Sequence, residues 1–388
     1  MNDFIWAVST SAFQVEGAYL EDGKGLTTAD LRCEKKKGCG TSVASDSYHH
    51  VEEDVALLKE LGVKAYRFSI SWARIYPNGN DAQRNEAGVA YYRKLIQELK
   101  KNQIEPIVTL LHFDVPMGIV KEYGGFVSRR SIDDFARYAE TIFTLFGREV
   151  HYFLTINEQN VMSISANMQG IEEEDAQKRI QLLQTANYHM YLANAKVIAL
   201  CHQLCPHAII GPAVSYPTLY PATDDPQDVY AAYRLEELMA FAPMDIYVHG
   251  AYPTWYLNYL EEKGIRLPIE PGDDALLKQG KPDYLGVNWY CTNAVKAGTN
   301  EAMTSLVDFA HMQKNPHLSY TEWGWSYDPL GFYMALRKCY DRYHLPIMVT
   351  ENGWSSREEL VDGKVHDEKR SAYLIDHTNE MMLSLIHI

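Results

Sequence analysis

Short apolar runs rich in β-branched and aromatic residues recur along the chain, and each is followed by a stretch with helical patterning. The runs are Phe4–Val8, Ala65–Ile70, Glu105–Leu111, Tyr152–Ile156, Ala208–Ala213, Tyr284–Asn288 and Ile347–Thr350. Between them, apolar residues spaced three and four apart predict helices over His49–Leu61, Glu86–Lys100, Ser131–Phe146, Gln177–Leu204, Pro226–Met239 and Pro329–Tyr343, with a last one over Asp367–Met382. Ile5, Val8 and their counterparts form continuous apolar runs, as expected of strands covered on both faces. Strand–helix alternation predicts a parallel α/β sheet, and seven repeats in one direction favour a barrel over an open sheet. The expected fold is therefore a (β/α)8 TIM barrel. Ala242–Gln279 is rich in Pro and Gly, and Asn300–Glu322 is weakly patterned. Both are expected to be long loops, the kind that builds a site at the strand C-termini of a barrel.

Only seven strands are counted, so the barrel is expected to be incomplete, lacking its eighth βα unit. Residues 1–382 are expected to form a single catalytic domain, and Leu383–Ile388 a non-native tail. A chain without its eighth unit is expected to turn over little substrate.

The charge balance is 36 basic against 51 acidic residues, a net charge of −15. That argues against a nucleic-acid partner, which needs a basic face. The six cysteines, Cys33, Cys39, Cys201, Cys205, Cys291 and Cys339, show no disulfide spacing and are expected to be reduced thiols of a cytoplasmic protein. Cys201-His202 and Cys205-Pro206-His207 read as a helix end with buried thiols rather than a metal cluster. No metal, no membrane span and no leader are expected, and oligomeric state is not legible.

Two strand ends present glutamates: Thr155-Ile156-Asn157-Glu158-Gln159 and Val349-Thr350-Glu351-Asn352-Gly353. Polar residues at the C-terminal ends of barrel strands face the site, and a charged group there is costly unless used or paired. Glycoside hydrolysis needs two carboxyl groups flanking the scissile bond; about 5–5.5 Å between them gives retention, a wider gap inversion. Either motif alone is an ordinary turn sequence. As a pair, at the ends of the fourth and seventh strands, they point to that chemistry.

The opening Phe4-Ile5-Trp6-Ala7-Val8-Ser9-Thr10-Ser11-Ala12-Phe13-Gln14-Val15-Glu16-Gly17 is similar to that of family 1 glycosidases. So are Tyr66-Arg67-Phe68-Ser69-Ile70-Ser71-Trp72, Leu111-His112-Phe113-Asp114-Val115-Pro116, Tyr123-Gly124-Gly125-Phe126, Tyr252-Pro253, Asn288-Trp289-Tyr290 and Thr350-Glu351-Asn352-Gly353, in the family's order. The resemblance implies a retaining β-glycosidase without cofactor, acting on small β-glycosides, with Glu158 as general acid/base and Glu351 as nucleophile. It implies that Arg67 and Tyr290 support the nucleophile and that Asn157 grips the sugar 2-hydroxyl. It further implies that Gln14, His112 and Tyr290 line the sugar site and that Trp325 walls the leaving-group side. Each has a structural alternative: an ion pair for Arg67, a core position for His112, Tyr290 and Trp325, a loop cap for Gln14. Phe113, Phe126, Trp289 and Gln159 depart from the family's usual residues; Gln159 stands where a Pro is usual. A 6-phospho-β-glycosidase is the alternative within the class. An inactive or merely sugar-binding barrel fragment is the alternative outside it.

Overall fold

The computed structural model describes residues 4–34, 40–298, 306 and 312–386. The chain divides into two compact units: residues 1–213 with 245–283, and residues 214–244 with 284–388. In the first, β1 (Ala7–Ser9), β2 (Ala65–Ser69), β3 (Glu105–Leu111), β4 (Tyr152–Asn157) and most of β5 (Ile209–Ser215) pair side by side, all parallel. In the second, a short strand β6 (Thr218–Pro221) follows β5. There β7 (Leu285–Asn288) pairs in parallel with the later β12 (Ile347–Glu351). Between those two lie β8 (Thr292–Val295), β9 (Met312–Gln313), β10 (Ser319–Tyr320) and β11 (Ser326–Tyr327). β6, β8 and β9 form a small sheet of their own, as do β10 and β11. The long parallel sheet runs β1-β2-β3-β4-β5-β7-β12, the seven strands that the apolar runs predict.

Most strand and helix bounds fall within three residues of expectation, because caps and apolar faces agree. Asn85 accepts a bond from the Ala87 N–H at the start of Glu86–Lys101, and Asp175 accepts one from Lys178 at the start of Ala176–Leu204. Glu52, Glu53 and Asp54 sit in the first turn of Val51–Leu61, where the helix dipole favours acid. Cys201 and Cys205 are buried at the end of Ala176–Leu204. Cys201, Cys205, Cys291 and Cys339 are free thiols; Cys39 lies outside the described residues.

Two expectations are corrected. Ala242–Gln279 is not a long loop: it holds the helices Ala242–His249, Thr254–Glu262 and Asp273–Gln279. Its prolines and glycines are boundary residues, with Pro253 as N-cap and Gly250, Gly264 and Gly272 at positive φ between helices. Ile5 is also not covered; it is 41% exposed and Trp6 47%. β1 ends the strand order and pairs on one side only, so its neighbourhood is half-open. Part of Asn300–Glu322 lies outside the described residues, and the rest includes β9 and β10. The final helix runs Glu368–Ile386, through most of Leu383–Ile388.

In the first unit, aromatic packing fixes the strand ends. Trp72 is fully buried, its ring stacked on Tyr138 at 5.6 Å. The Tyr138 hydroxyl bonds the carbonyls of Ile70 (2.7 Å) and Leu110 (3.1 Å), tying the exits of β2 and β3 to the helix Arg130–Phe146. In the second unit His377 is buried in the final helix, its ring stacked on Tyr373 at 3.7 Å and 5.3 Å from Trp289. Burial lowers its pKa from 6.5 to about 4. The unfolded chain then binds the proton more readily, so this contribution to stability is complete above about pH 6.5 and is lost as the pH falls toward 4. Thermal unfolding followed from pH 7 to pH 4 should show wild type losing about 2 kcal/mol more than His377→Phe; parallel curves for the two proteins would contradict this.

Candidate active site

The first unit places Arg67 inside β2, His112 just past the end of β3, and Asn157 and Glu158 at the end of β4. Arg67 is the third residue of β2 and is 2% exposed. A buried guanidinium is tolerable only if its N–H groups are satisfied. Its Nε donates to Thr109 Oγ1 on β3 (2.9 Å), Nη1 to Ser9 Oγ on β1 (3.3 Å) and Nη2 to Asn157 Oδ1 on β4 (2.7 Å).

Arginine can only donate, so the Asn157 amide oxygen must face it. The amide nitrogen then faces His112 Nε2, 3.2 Å away. Nε2 accepts, which puts the ring proton on Nδ1. Burial, and then the Arg67 charge, hold the His112 pKa well below its ordinary value, so the ring is neutral. Phe113, the next residue, has φ +64°, an unusual value for a bulky side chain. Its carbonyl accepts from Thr28 Oγ1 and Arg32 Nη1, both at 3.2 Å, which hold the turn. Asp114 Oδ1 accepts from the His112 N–H, and burial raises that carboxyl to about 7.

Glu158 follows β4 at φ +45°, a left-handed conformation that is strained for a residue with a Cβ. Its N–H donates to the Ala213 carbonyl at 2.8 Å, and its carbonyl accepts from Val161 and Met162 as the chain enters the short helix Gln159–Met162. Gln159 is 1% exposed. Its Nε2 donates to the Asn187 carbonyl (3.0 Å) and to Asn187 Oδ1 (2.8 Å), and its Oε1 accepts from the Tyr247 hydroxyl (2.7 Å). Gln14 lies in the short helix Ala12–Val15, exposed, with Oε1 accepting from Ser11 Oγ at 2.5 Å. The ring of Phe13, the residue before Gln14, lies 6.2 Å from that of His112.

The second unit places Glu351, Tyr290 and Trp325 together. Glu351 ends β12 opposite Asn288 of β7, where the register shifts between Val349 and Glu351. Its backbone carbonyl accepts from the Trp289 N–H at 3.0 Å. The Tyr290 hydroxyl donates to Glu351 Oε2 at 2.6 Å, and the half-buried Trp325 ring lies 4.9 Å from the Tyr290 ring. Asn352 Nδ2 donates to the Trp289 carbonyl (2.8 Å) and the Tyr373 hydroxyl (3.0 Å). That hydroxyl also bonds the Tyr290 carbonyl at 3.2 Å.

Sequence reasoning missed Ser9, Thr109, Asn352 and Tyr373 as supports. Thr109 had a signal: it is a polar residue inside the apolar run Glu105–Leu111, at the exit that Arg67 reaches. Tyr373 had none, being one aromatic in an amphipathic helix 22 positions after Glu351. Among the described residues there is no group of His, Cys, Asp and Glu arranged to hold a metal, and no helix long and apolar enough to cross a membrane.

Comparison with known proteins places this geometry in context. Residues 1–387 match the profile of glycosyl hydrolase family 1. The chain is 38% identical to the aryl-phospho-β-D-glucosidase BglC of Bacillus subtilis (strain 168), over 97% of this chain and 83% of that protein. It is 38% identical to the phospho-cellobiase of Klebsiella oxytoca, over 96% of this chain and 82% of that one. Among solved structures it resembles the family 1 β-glucosidase from Thermotoga maritima, with a TM-score of 0.89 and 29% identity, covering 100% of this chain and 86% of the other. An α/β fold with a seven-stranded parallel sheet, strand-end glutamates and a match along nearly its whole length together make this chain a member of glycosyl hydrolase family 1, a family of retaining β-glycosidases.

Proposed function

We propose that the chain hydrolyses small β-glucosides carrying a 6-phosphate, in the cytoplasm, with Glu158 as general acid/base and Glu351 as nucleophile. The observation that carries the residue roles is the contact of the Tyr290 hydroxyl with Glu351 Oε2 at 2.6 Å. It fixes the plane of a strand-end carboxylate, as an attacking oxygen requires. The names of the relatives BglC and phospho-cellobiase support the phosphorylated sugar. The free thiols support a reducing compartment.

In the first step Glu158 gives its proton to the glycosidic oxygen while a Glu351 oxygen bonds to the anomeric carbon and the leaving alcohol departs. In the second, Glu158 takes a proton from water, whose oxygen displaces Glu351 with net retention. Retaining glycosidases in general use carboxyls about 5–5.5 Å apart for these two steps. Asn157, oriented by Arg67, offers its amide to the 2-hydroxyl, and neutral His112, Gln14 and Tyr290 serve the remaining sugar oxygens. Trp325 offers a ring face to the leaving group. No cofactor is needed, since the two carboxyls supply acid, base and nucleophile.

Likeness to the Thermotoga maritima β-glucosidase favours a second reading, hydrolysis of the unphosphorylated glucoside. The net charge of −15 points the same way, because an anionic sugar needs local cations to overcome it. Turnover of nitrophenyl β-glucoside and of its 6-phosphate separates the two. A kcat/KM preference of roughly 100-fold or more for the phosphate is expected, and preference for the free sugar would reverse the assignment. Turnover of neither would leave only a sugar-binding barrel.

Glu351→Ala should lower kcat by about 10^5-fold, with added azide restoring a product of α configuration. A rescued product of β configuration, or no rescue, would remove Glu351 from the nucleophile role. Glu158→Ala should cost about 10^2- to 10^4-fold on substrates with poor leaving groups and little in the first step on dinitrophenyl substrates. Equal losses on both would show that Glu158 is not the acid.

A further inference from the structure

We propose that Gln159 is a positioning residue for the acid/base, acting through a buried bond set with Asn187 and Tyr247 that holds the strained turn at Glu158. The inference rests on the assignment of Glu158 made above.

Glu158 stands at φ +45°, ψ 51°. Nothing intrinsic to a glutamate favours that conformation, so its neighbours must impose it. On its N-terminal side the Asn157 side chain is locked between Arg67 and His112. On its C-terminal side the Gln159 side chain is locked as completely. Both amide N–H groups go to Asn187, one to the carbonyl and one to the side chain, and the amide oxygen takes the Tyr247 hydroxyl. Asn187 belongs to the long helix Ala176–Leu204 and Tyr247 to the helix Ala242–His249. Both are buried, and the Tyr247 ring packs 5.0 Å from Tyr191 on the long helix. Glu158 therefore sits between two anchored side chains, and its carboxyl is aimed by a turn that cannot relax on either side. Rotating that turn would displace the carboxyl from the leaving oxygen without removing it from the site.

Such a displacement has a signature that general loss of structure lacks. Proton donation matters for a poor leaving group and hardly at all for a dinitrophenolate. Gln159→Met keeps the side-chain length and removes all three bonds. Its kcat/KM on a phenyl glycoside should fall about 10- to 100-fold, the scale of a misplacement near 1 Å. On the dinitrophenyl glycoside it should stay within about threefold of wild type, and the basic limb of the pH profile should move only for the phenyl substrate. Tyr247→Phe removes one bond and should give the same selectivity at about 3- to 10-fold; it carries the test should the first variant fail to fold. Equal losses on the two substrates, or none on either, in Tyr247→Phe would overturn the proposal while leaving Glu158 as the acid. Absence of turnover by wild type on both would instead sink the functional reading, and this inference with it.

Discussion

A single buried cation organises the strand-end residues of the first unit. Arg67 is almost fully enclosed, and its N–H groups reach the side chains of three neighbouring strands, β1, β3 and β4. Enclosing a guanidinium would be prohibitive without those partners. The partners are in turn fixed by it. The Asn157 amide can point only one way because the cation accepts nothing, and that orientation decides which nitrogen of His112 carries the proton. The same positive charge, added to burial, keeps the imidazole neutral. One residue thus sets an amide orientation and a tautomer, and it reinforces the protonation state that burial imposes on His112.

The reach of Arg67 also explains which parts of this arrangement were legible in the sequence. A cationic residue in the apolar run Ala65–Ile70 is conspicuous, and so are glutamates closing two further runs. Run length and β-branching are strong signals for buried parallel strands, which is why β3 and the helix Pro329–Tyr343 fall on their expected bounds. Ala242–Gln279 was misread for the opposite reason. Prolines and glycines mark boundaries, and when boundaries come every ten residues they hide three short helices behind a loop-like composition. The exposure of Ile5 and Trp6 was not legible either, because an apolar run does not say how many neighbours its strand will have.

Side-chain networks were the least legible layer. Gln159 looked like an unexplained departure, since nothing local reveals that Asn187 and Tyr247 will close around it from helices 28 and 88 positions away. Tyr373 is similar: its hydroxyl joins the Asn352 side chain to the Tyr290 carbonyl, bracketing Glu351 from the residue after it and from its tyrosine partner. Partners of this kind are selected by geometry at long sequence separation, and periodicity carries no record of them.

The backbones of the two glutamates are held differently, and the difference suits the tasks proposed for them. Glu351 ends a strand, its backbone carbonyl bonded to Trp289 and its carboxylate to the Tyr290 hydroxyl. A nucleophile needs one fixed oxygen at one distance, and a side-chain hydrogen bond on a regular strand end supplies that. Glu158 lies on a left-handed turn, with the side chains on both flanks anchored. An acid that becomes a base must deliver a proton to one oxygen and collect it from another along nearly the same line. Fixing the backbone of the turn fixes the line along which the carboxyl gives up and collects that proton. The strain at φ +45° is the cost of aiming the side chain by its backbone, and the buried amide of Gln159 offsets it.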